Sequence, residues 1–248
     1  MDRIIYTAAG GAARVLEQQA VISNNMANVN TAGFREQLAI YRSVPVVGAA
    51  PTLPTRVSTV TSTPSSSLEQ GVMVETGHAL DAAITGEGWF SVQTPQGEAY
   101  SRAGEFAVNQ QGLLVNQQGY PVLSADGVPV EIPDRGAVTF SGDGQISALG
   151  AGDNPNDIQL IGQLKLVNPQ PGAMLRGDDG LFRMGNGQPV PADPEVRMIA
   201  GFVEKSNVNP AEAMVGMIAN ARRFEMQMKV IQDASANAER ANSILSTN

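Results

Sequence analysis

The segment TGEGWFSV, residues Thr85–Val92, contains two of the three glycines of a dinucleotide-binding fingerprint. In that fingerprint a third glycine follows and a helix begins, so that a phosphate group meets the backbone N–H groups at the helix N-terminus. Here Ser91 stands in place of the third glycine, and Trp89-Phe90 has the pattern of a strand. We therefore interpret the segment as a tight turn in a sheet and not as a cofactor site.

The other residues that could do chemistry lack the neighbours that such chemistry requires. Asp143, Asp153 and Asp157 do not have the spacing of an EF-hand loop and are typical of acidic turns. His78 is the single histidine, so a histidine metal site is incomplete, and it has no evident serine or cysteine partner. Arg222-Arg223 could attract an anion, but on a long helix a solvated or salt-bridged face is the simpler interpretation. We predict no catalytic residue, no metal and no cofactor, and hence a structural protein.

Composition limits the partners of this chain of 248 residues. Residues 36–200 carry eight basic and seventeen acidic side chains, a net charge of −9, which argues against a nucleic-acid partner. There is no cysteine, and no apolar run is long enough to insert into a membrane. Asp2 and Gly10-Gly11 interrupt the N-terminus where a signal peptide would be basic and then apolar. We expect a cytoplasmic protein or one exported without a cleaved signal.

The N-terminal segment is predicted to be a long helix over residues 4–30. Gly33 can end it in the left-handed conformation, and Gly10-Gly11 marks either a flexible joint or a site of close packing. Seven positions recur with alternating spacings of four and three, the heptad pattern of a helix–helix interface: Ala8, Ala12, Val15, Gln19, Ile22, Met26 and Val29.

The middle of the chain has two parts. Between Pro51 and Ser67 ten of seventeen residues are Ser or Thr, which predicts an extended linker over residues 43–70, with an edge strand at Arg56–Thr61. Over residues 71–205 short β-patterned runs alternate with Asn-Gly and Asp-Gly turns. No helix-length pattern separates these runs, so we predict an antiparallel β domain.

The C-terminal segment, residues 206–248, is predicted to be a second long helix. It begins with Asn209 as N-cap, Pro210 at the first helical position and Glu212 as a capping-box residue. Gln227 lies off its heptad stripe. That stripe indicates a coiled coil and has ten members: Met214, Met217, Ala221, Phe224, Met228, Ile231, Ser235, Ala238, Asn242 and Leu245.

The two stripes need partners, because a helix gains most of its stability by packing its apolar face. The first partner we expect is the other stripe. The pair should then stay loose until it meets neighbouring subunits. Asn24 and Asn28 lie one helical turn apart, and such carboxamides either fix the register of an interface or cap the end of the helix.

Three stretches resemble the signatures of bacterial flagellar rod and hook proteins. The run SNNMANVNTAGF is similar to their N-terminal signature, with Met26 in place of a usual leucine. Residues 80–124 resemble the middle signature, with Trp89 in place of a usual phenylalanine, and GFVEKSNVNPAEAMVGMIANARRFEMQMKVIQDA resembles the C-terminal one. Length and the opening MDRIIYTAAGGA favour the proximal-rod member, with the distal-rod protein FlgG as the nearest alternative, although residues 10–12 depart from the Ser-Gly usual there.

The resemblance implies an α+β, mainly β, structural subunit of the flagellar basal body that transmits torque passively. Its terminal helices would pack together in a coiled-coil manner, line an inner tube and flank a central antiparallel β domain. The partners implied are copies of the chain, the rod subunits FlgB, FlgC and FlgG, and the flagellar type III export apparatus, and the location is the periplasmic rod. The assembly interface that we predict comprises Ile22, Asn24, Asn25, Met26, Asn28, Val29, Gly33, Phe34, Met214, Met217, Ala221, Phe224, Met228, Ile231 and Leu245.

Two other classes of protein fit parts of the sequence. A soluble enzyme or small-molecule-binding protein would use the β domain as its site. A surface adhesin would use the heptad stripes, but it would normally require a signal peptide and an anchor. On the sequence, both alternatives rank below a flagellar axial subunit.

Overall fold

The computed structural model describes residues 2–45, 57–61, 65–132, 136–150, 159–170 and 172–245. Asp153, Asp157 and much of the predicted linker lie outside the described residues. The chain divides into two compact units. The helical unit comprises Met1–Val29, Glu36–Ser67 and Val208–Asn248, and the β unit comprises Asn30–Arg35 and Leu68–Asn207. The predicted domain division, 1–42, 43–70, 71–205 and 206–248, stays a prediction.

Two helices form the larger part of the helical unit. Helix α1 spans Asp2–Ala27 and helix α2 spans Pro210–Leu245. They pack on each other, and they run antiparallel because Gly11 lies against the Gln227 side chain whereas Gly216 lies against Ile22. Contact between the two terminal helices was predicted, and the structure contains it.

The ends of the helices follow local chemistry. Asn209 Oδ1 accepts hydrogen bonds from the N–H groups of Ala211 and Glu212 at 3.0 and 3.4 Å, so the predicted N-cap of α2 is confirmed. Helix α1 ends at Ala27, three residues earlier than predicted. Gly33 has the left-handed conformation that we expected, with φ +65°, but it does not cap the helix. Its N–H donates to the carbonyl oxygen of Glu204, in the β unit.

Two short ladders complete the helical unit. Strand β1, Gln37–Leu38, pairs antiparallel with β4, Ser65–Ser66, and strand β2, Tyr41–Pro45, pairs antiparallel with β3, Val57–Thr61. Strand β3 lies where an edge strand was predicted.

The β unit consists of short antiparallel ladders. A five-stranded sheet has the order β14-β7-β8-β16-β15, a three-stranded sheet has the order β11-β12-β13, and three further ladders pair β9 with β10, β6 with β17 and β5 with β18. The strands are β5 Met73–Glu75, β6 Ala82–Thr85, β7 Trp89–Thr94, β8 Gly97–Ser101, β9 Phe106–Val108, β10 Leu114–Asn116, β11 Gly136–Phe140, β12 Gln145–Gly150, β13 Gln159–Gln163, β14 Leu166–Val167, β15 Met174–Arg176, β16 Phe182–Met184, β17 Arg197–Ala200 and β18 Phe202–Glu204.

One apolar core holds most of these ladders together. Its aliphatic side chains come from both sheets and from β6, and Ile84, Val92 and Ile146 are fully buried in it. Phe106 packs edge-on against two other rings, 5.1 Å from the centroid of Phe90 and 6.3 Å from that of Phe140. The architecture confirms the predicted class, α+β and mainly β, with helices at both ends of the chain.

Candidate assembly interface

The heptad stripe predicted for α1 is its less exposed face. Ala8 and Ala12 are buried, and the five later members of the stripe are half-buried. The glycine at position 11 permits close packing, because a Cβ there would lie 3.1 Å from the Gln227 carboxamide. Of the two alternatives for Gly10-Gly11, the structure therefore supports close packing at Gly11.

The stripe predicted for α2 is half correct. Met217, Phe224 and Ile231 are half-buried, but Met214, Ala221 and Met228 are exposed. The exposed fractions are 51% for Met214 and 37% for Met228. Ser235 and Asn242 are exposed too, and Leu245 is the last residue of the helix.

The alternate positions of the packing face lie one residue earlier than predicted. Ala213, Gln227 and Ala241 are half-buried, and Asn220 and Ala234 are buried. The prediction that Gln227 lies off the stripe is therefore wrong. The prediction placed methionines on the stripe because they are hydrophobic. The two helix backbones approach closely, and this close packing favours small side chains and a long amide that fits over a glycine.

Two amides lie buried in the helix pair. Gln19 Oε1 and Asn220 Nδ2 are both shielded from solvent and make no hydrogen bond in the structure. The register that places Gly11 beside Gln227 and Ile22 beside Gly216 brings these two amides to nearly the same level. One is an acceptor and the other a donor.

The asparagines at the end of α1 have different roles. Asn25 is buried, and its carboxamide pairs with the backbone of Gln37: Nδ2 donates to the carbonyl oxygen and Oδ1 accepts from the N–H, both at 2.9 Å. It thus holds β1 against the helix. Asn28 Nδ2 donates to the carbonyl oxygen of Asn24 at 2.8 Å, which is the capping alternative, and Asn24 is exposed.

Each helix also has a second apolar face, which is exposed. On α1 it comprises residues spaced by three and four, and Tyr6 and Leu16 are 77% and 54% exposed. On α2 Val215 and Ile218 are 66% and 57% exposed. The members of the exposed face are Tyr6, Ala9, Ala13, Leu16 and Ala20 on α1, and Met214, Val215, Ile218 and Ala221 on α2.

The last two residues of the N-terminal motif pack inside the β unit. A Cβ at Gly33 would lie 2.1 Å from the backbone nitrogen of Ala103, so only glycine fits there. Phe34 is buried, with the Arg176 guanidinium 4.4 Å from its ring centroid. Of the predicted interface residues, Phe34 and Asn25 are therefore buried inside the subunit itself.

A buried ion cluster stands next to this motif. Glu204 is fully buried and accepts from Arg35 Nη1 at 2.5 Å and from Arg102 Nη1 at 3.0 Å. Both guanidinium groups also lie over the ring of Trp89, at 5.7 and 5.6 Å. Burial lowers the pKa of Arg102 to about 10 and also lowers that of Arg35, although Glu204 opposes both shifts. This cluster could not be predicted from the sequence, because its members lie far apart along the chain and share no pattern.

The potential chemical residues do not converge. His78 lines a surface cleft of about 710 Å³ with Thr76, Leu80, Asp81 and Glu105. Within the described ranges no group of three or more His, Asp or Glu side chains could hold a metal ion. Nor does a helix of the described part have the length and apolar character needed to cross a membrane.

Three family models match the chain. Residues 5–35 match the flagella basal body rod protein model, residues 83–148 the D1 domain of the flagellar hook protein FlgE/F/G, and residues 199–244 the C-terminal part of flagellar basal body rod FlgEFG protein. The flagellar basal-body rod protein FlgF of Escherichia coli (strain K12) is 46% identical over 253 residues, with 99% of both chains covered. The chain belongs to the FlgF family of flagellar basal-body rod proteins.

Other relatives agree with the FlgF family. FlgF of Rhizobium meliloti (strain 1021) is 31% identical over 243 residues, with 97% of both chains covered. The rod protein FlgG of Agrobacterium fabrum (strain C58 / ATCC 33970) is 33% identical over 245 residues, with 88% of this chain and 90% of its own covered. The choice of FlgF over FlgG is thus confirmed. Members of the family are structural rod proteins, so this chain is a structural subunit and not an enzyme.

Proposed function

We propose that the chain is a subunit of the proximal rod that assembles through its two terminal helices. Its neighbours are copies of itself and the rod subunits FlgB, FlgC and FlgG. The chain reaches the periplasmic space through the flagellar type III export apparatus, and it transmits torque passively once assembled. Membership of the FlgF family supports this proposal.

The exposed apolar face of the helix pair is the observation that carries the proposal. Val215 and Ile218 stand mostly in solvent, although burying such a side chain fully stabilises a protein by about 1.5–3 kcal/mol. Spacings of three and four match one side of a neighbouring helix. The intramolecular stripe is already used by the other helix, so the second face is the one available to neighbouring subunits.

The seam between α1 and α2 is proposed to pack as a coiled coil. Gly11 faces the end of the Gln227 side chain, and a Cβ at Gly216 would lie 3.2 Å from Ile22 Cδ1. Each contact sets a side chain of one helix over a glycine of the other, and the glycine leaves space for the interdigitation that a coiled coil requires.

The test replaces one residue of the exposed face. Ile218→Asp adds a charge that costs little in the free subunit, where the side chain is already in water, but is buried without a partner after assembly. We expect normal folding, no incorporation into purified rods and no motility in a strain that carries only the variant. Gln232→Asp, at another exposed position of α2, is the matched control and should swim. An Ile218→Asp strain that swims and builds rods normally contradicts the proposal.

A further inference from the structure

Two segments distant in sequence close the β unit together. Residues 30–35 enter it from the N-terminal side, and residues 202–207 leave it toward the C-terminus. The N–H of Gly33 donates to the carbonyl oxygen of Glu204 at 2.7 Å, and the N–H of Asn207 donates to that of Phe34 at 3.3 Å. We propose that these two segments form a two-ended latch, a single cooperative element that opens and closes separately from the five-stranded sheet.

The Glu204 carboxylate joins the two segments of this latch. One oxygen accepts from Arg35 and from the N–H of Gly71, at 2.5 and 2.8 Å, and the other accepts from Arg102 at 3.0 Å. The side chains of Glu204 and Arg35 have no solvent exposure. A buried guanidinium that loses its carboxylate remains in a poorly solvating environment, which strongly disfavours the closed state. Each end of the latch therefore depends on the other for charge compensation.

The topology lets the latch open without unfolding the sheet. Strand β18 pairs with β5 in a ladder of two strands and is no part of the five-stranded sheet. Residues 30–35 belong to no strand or helix. Two strands of the sheet meet the latch: the Arg35 guanidinium lies over the ring of Trp89 on β7, and Arg176 on β15 lies over Phe34 and donates to the carbonyl oxygen of Arg35 at 2.5 Å. Native proteins open in cooperative units of this kind when a peripheral element shares few ladder bonds with the core.

A second ion pair of the β unit provides a matched control. Glu98 accepts from Lys165 Nζ at 2.9 Å and from Ser91 Oγ at 2.6 Å, and its side chain is 12% exposed. It lies on β8 and does not touch either latch segment through these bonds. Glu98→Gln removes a carboxylate of the same kind from the sheet itself, whereas Glu204→Gln removes it from the latch.

Hydrogen exchange of the full chain, followed by mass spectrometry, tests the proposal. In Glu204→Gln we expect exchange of peptides covering residues 30–35 and 202–207 to accelerate together, by about 100-fold or more. Peptides of β7 and β8 should change by less than about threefold, since the ladder between them is untouched. Trp89 is the single tryptophan, so its fluorescence reports opening independently. Glu98→Gln should leave both latch segments as in the wild type.

A second variant changes the arginine of the ion pair in place of the glutamate. The conclusion then does not depend on how strongly one substitution destabilises the protein. Arg35→Gln acts at the N-terminal end, and the proposal requires it to accelerate exchange at residues 202–207 as well. Acceleration at only one segment in either variant means that the ends are independent and overturns the latch. Equal acceleration across β7 and β8, or an equal effect of Glu98→Gln on the latch segments, means that the cluster belongs to the global core and also overturns it.

Discussion

Replacing Phe224 by aspartate should disrupt the helix pair of the free subunit. Phe224 is half-buried on the face of α2 that packs against α1. Burying a whole phenylalanine side chain stabilises by about 1.5–3 kcal/mol, so losing half of that burial costs about 0.8–1.5 kcal/mol. A partly buried polar group without a partner adds about 1–3 kcal/mol. The pair should lose about 2–4 kcal/mol, which is enough to unfold helices that are marginal alone.

Circular dichroism at 222 nm during thermal unfolding measures this loss. The variant should lose helical signal at a lower temperature than the wild type, while the near-ultraviolet signal of Trp89 persists. Ile218→Asp is the control, because Ile218 is 57% exposed and a surface change usually shifts stability by less than about 0.5 kcal/mol. If Phe224→Asp leaves the helical transition of the isolated subunit unchanged, α2 does not pack through this face in solution. The sequence predicted a helix pair that stays loose in the free subunit, and such a pair would tolerate the substitution.

Three further predictions concern other parts of the chain. Asn25→Ala removes both hydrogen bonds to the Gln37 backbone and should destabilise the helical unit by about 1–3 kcal/mol in urea unfolding, whereas Asn24→Ala should be nearly neutral. The hydrogen bond from Arg183 holds the pKa of Asp179 below its usual value. The pair therefore stabilises the folded protein at pH values above the unfolded-state pKa of Asp179, and this stabilisation is lost as the pH falls through the folded-state pKa. Asp179→Asn should therefore lower the free energy of unfolding by about 0.5–1 kcal/mol at neutral pH, and should have no effect at pH values below the folded-state pKa. Thermal unfolding measured at a series of pH values checks both expectations. N-terminal sequencing of protein from purified rods should start at residue 1 or 2, and a start beyond residue 15 would contradict export without cleavage.

Local signals in the sequence were sufficient for much of the fold. Asn209 accepts from the N–H groups of Ala211 and Glu212, and Pro210 has no N–H to satisfy, so the start of α2 could be predicted from neighbouring residues. Hairpin turns and β-branched runs identified the β region in the same way. These features depend only on residues a few positions apart, so they can be recognised in the sequence without knowing the fold.

Features that depend on distant residues could not be predicted. The heptad pattern identified a face of α2 but misplaced its alternate positions, because Gln227 lies over Gly11 and Asn220 is buried where hydrophobicity favoured Met228 and Ala221. Arg35 and Glu204 are 169 positions apart, and nothing in either local sequence indicates a buried ion pair. Asn25 was singled out by type, but its partner is a backbone segment whose position required the fold.

The hydrogen bond from Asn207 Nδ2 to the carbonyl oxygen of Glu69, at 2.9 Å, joins the two ends of a long excursion of the chain. The segment between these two residues therefore begins and ends at the same place, as does a domain inserted into a loop of another domain. Such an insert can grow, shrink or be exchanged while the residues on either side keep their spacing. Chimeras that swap residues 70–206 together with residues 30–35 between relatives are therefore a natural way to transplant the β unit into a different helical host.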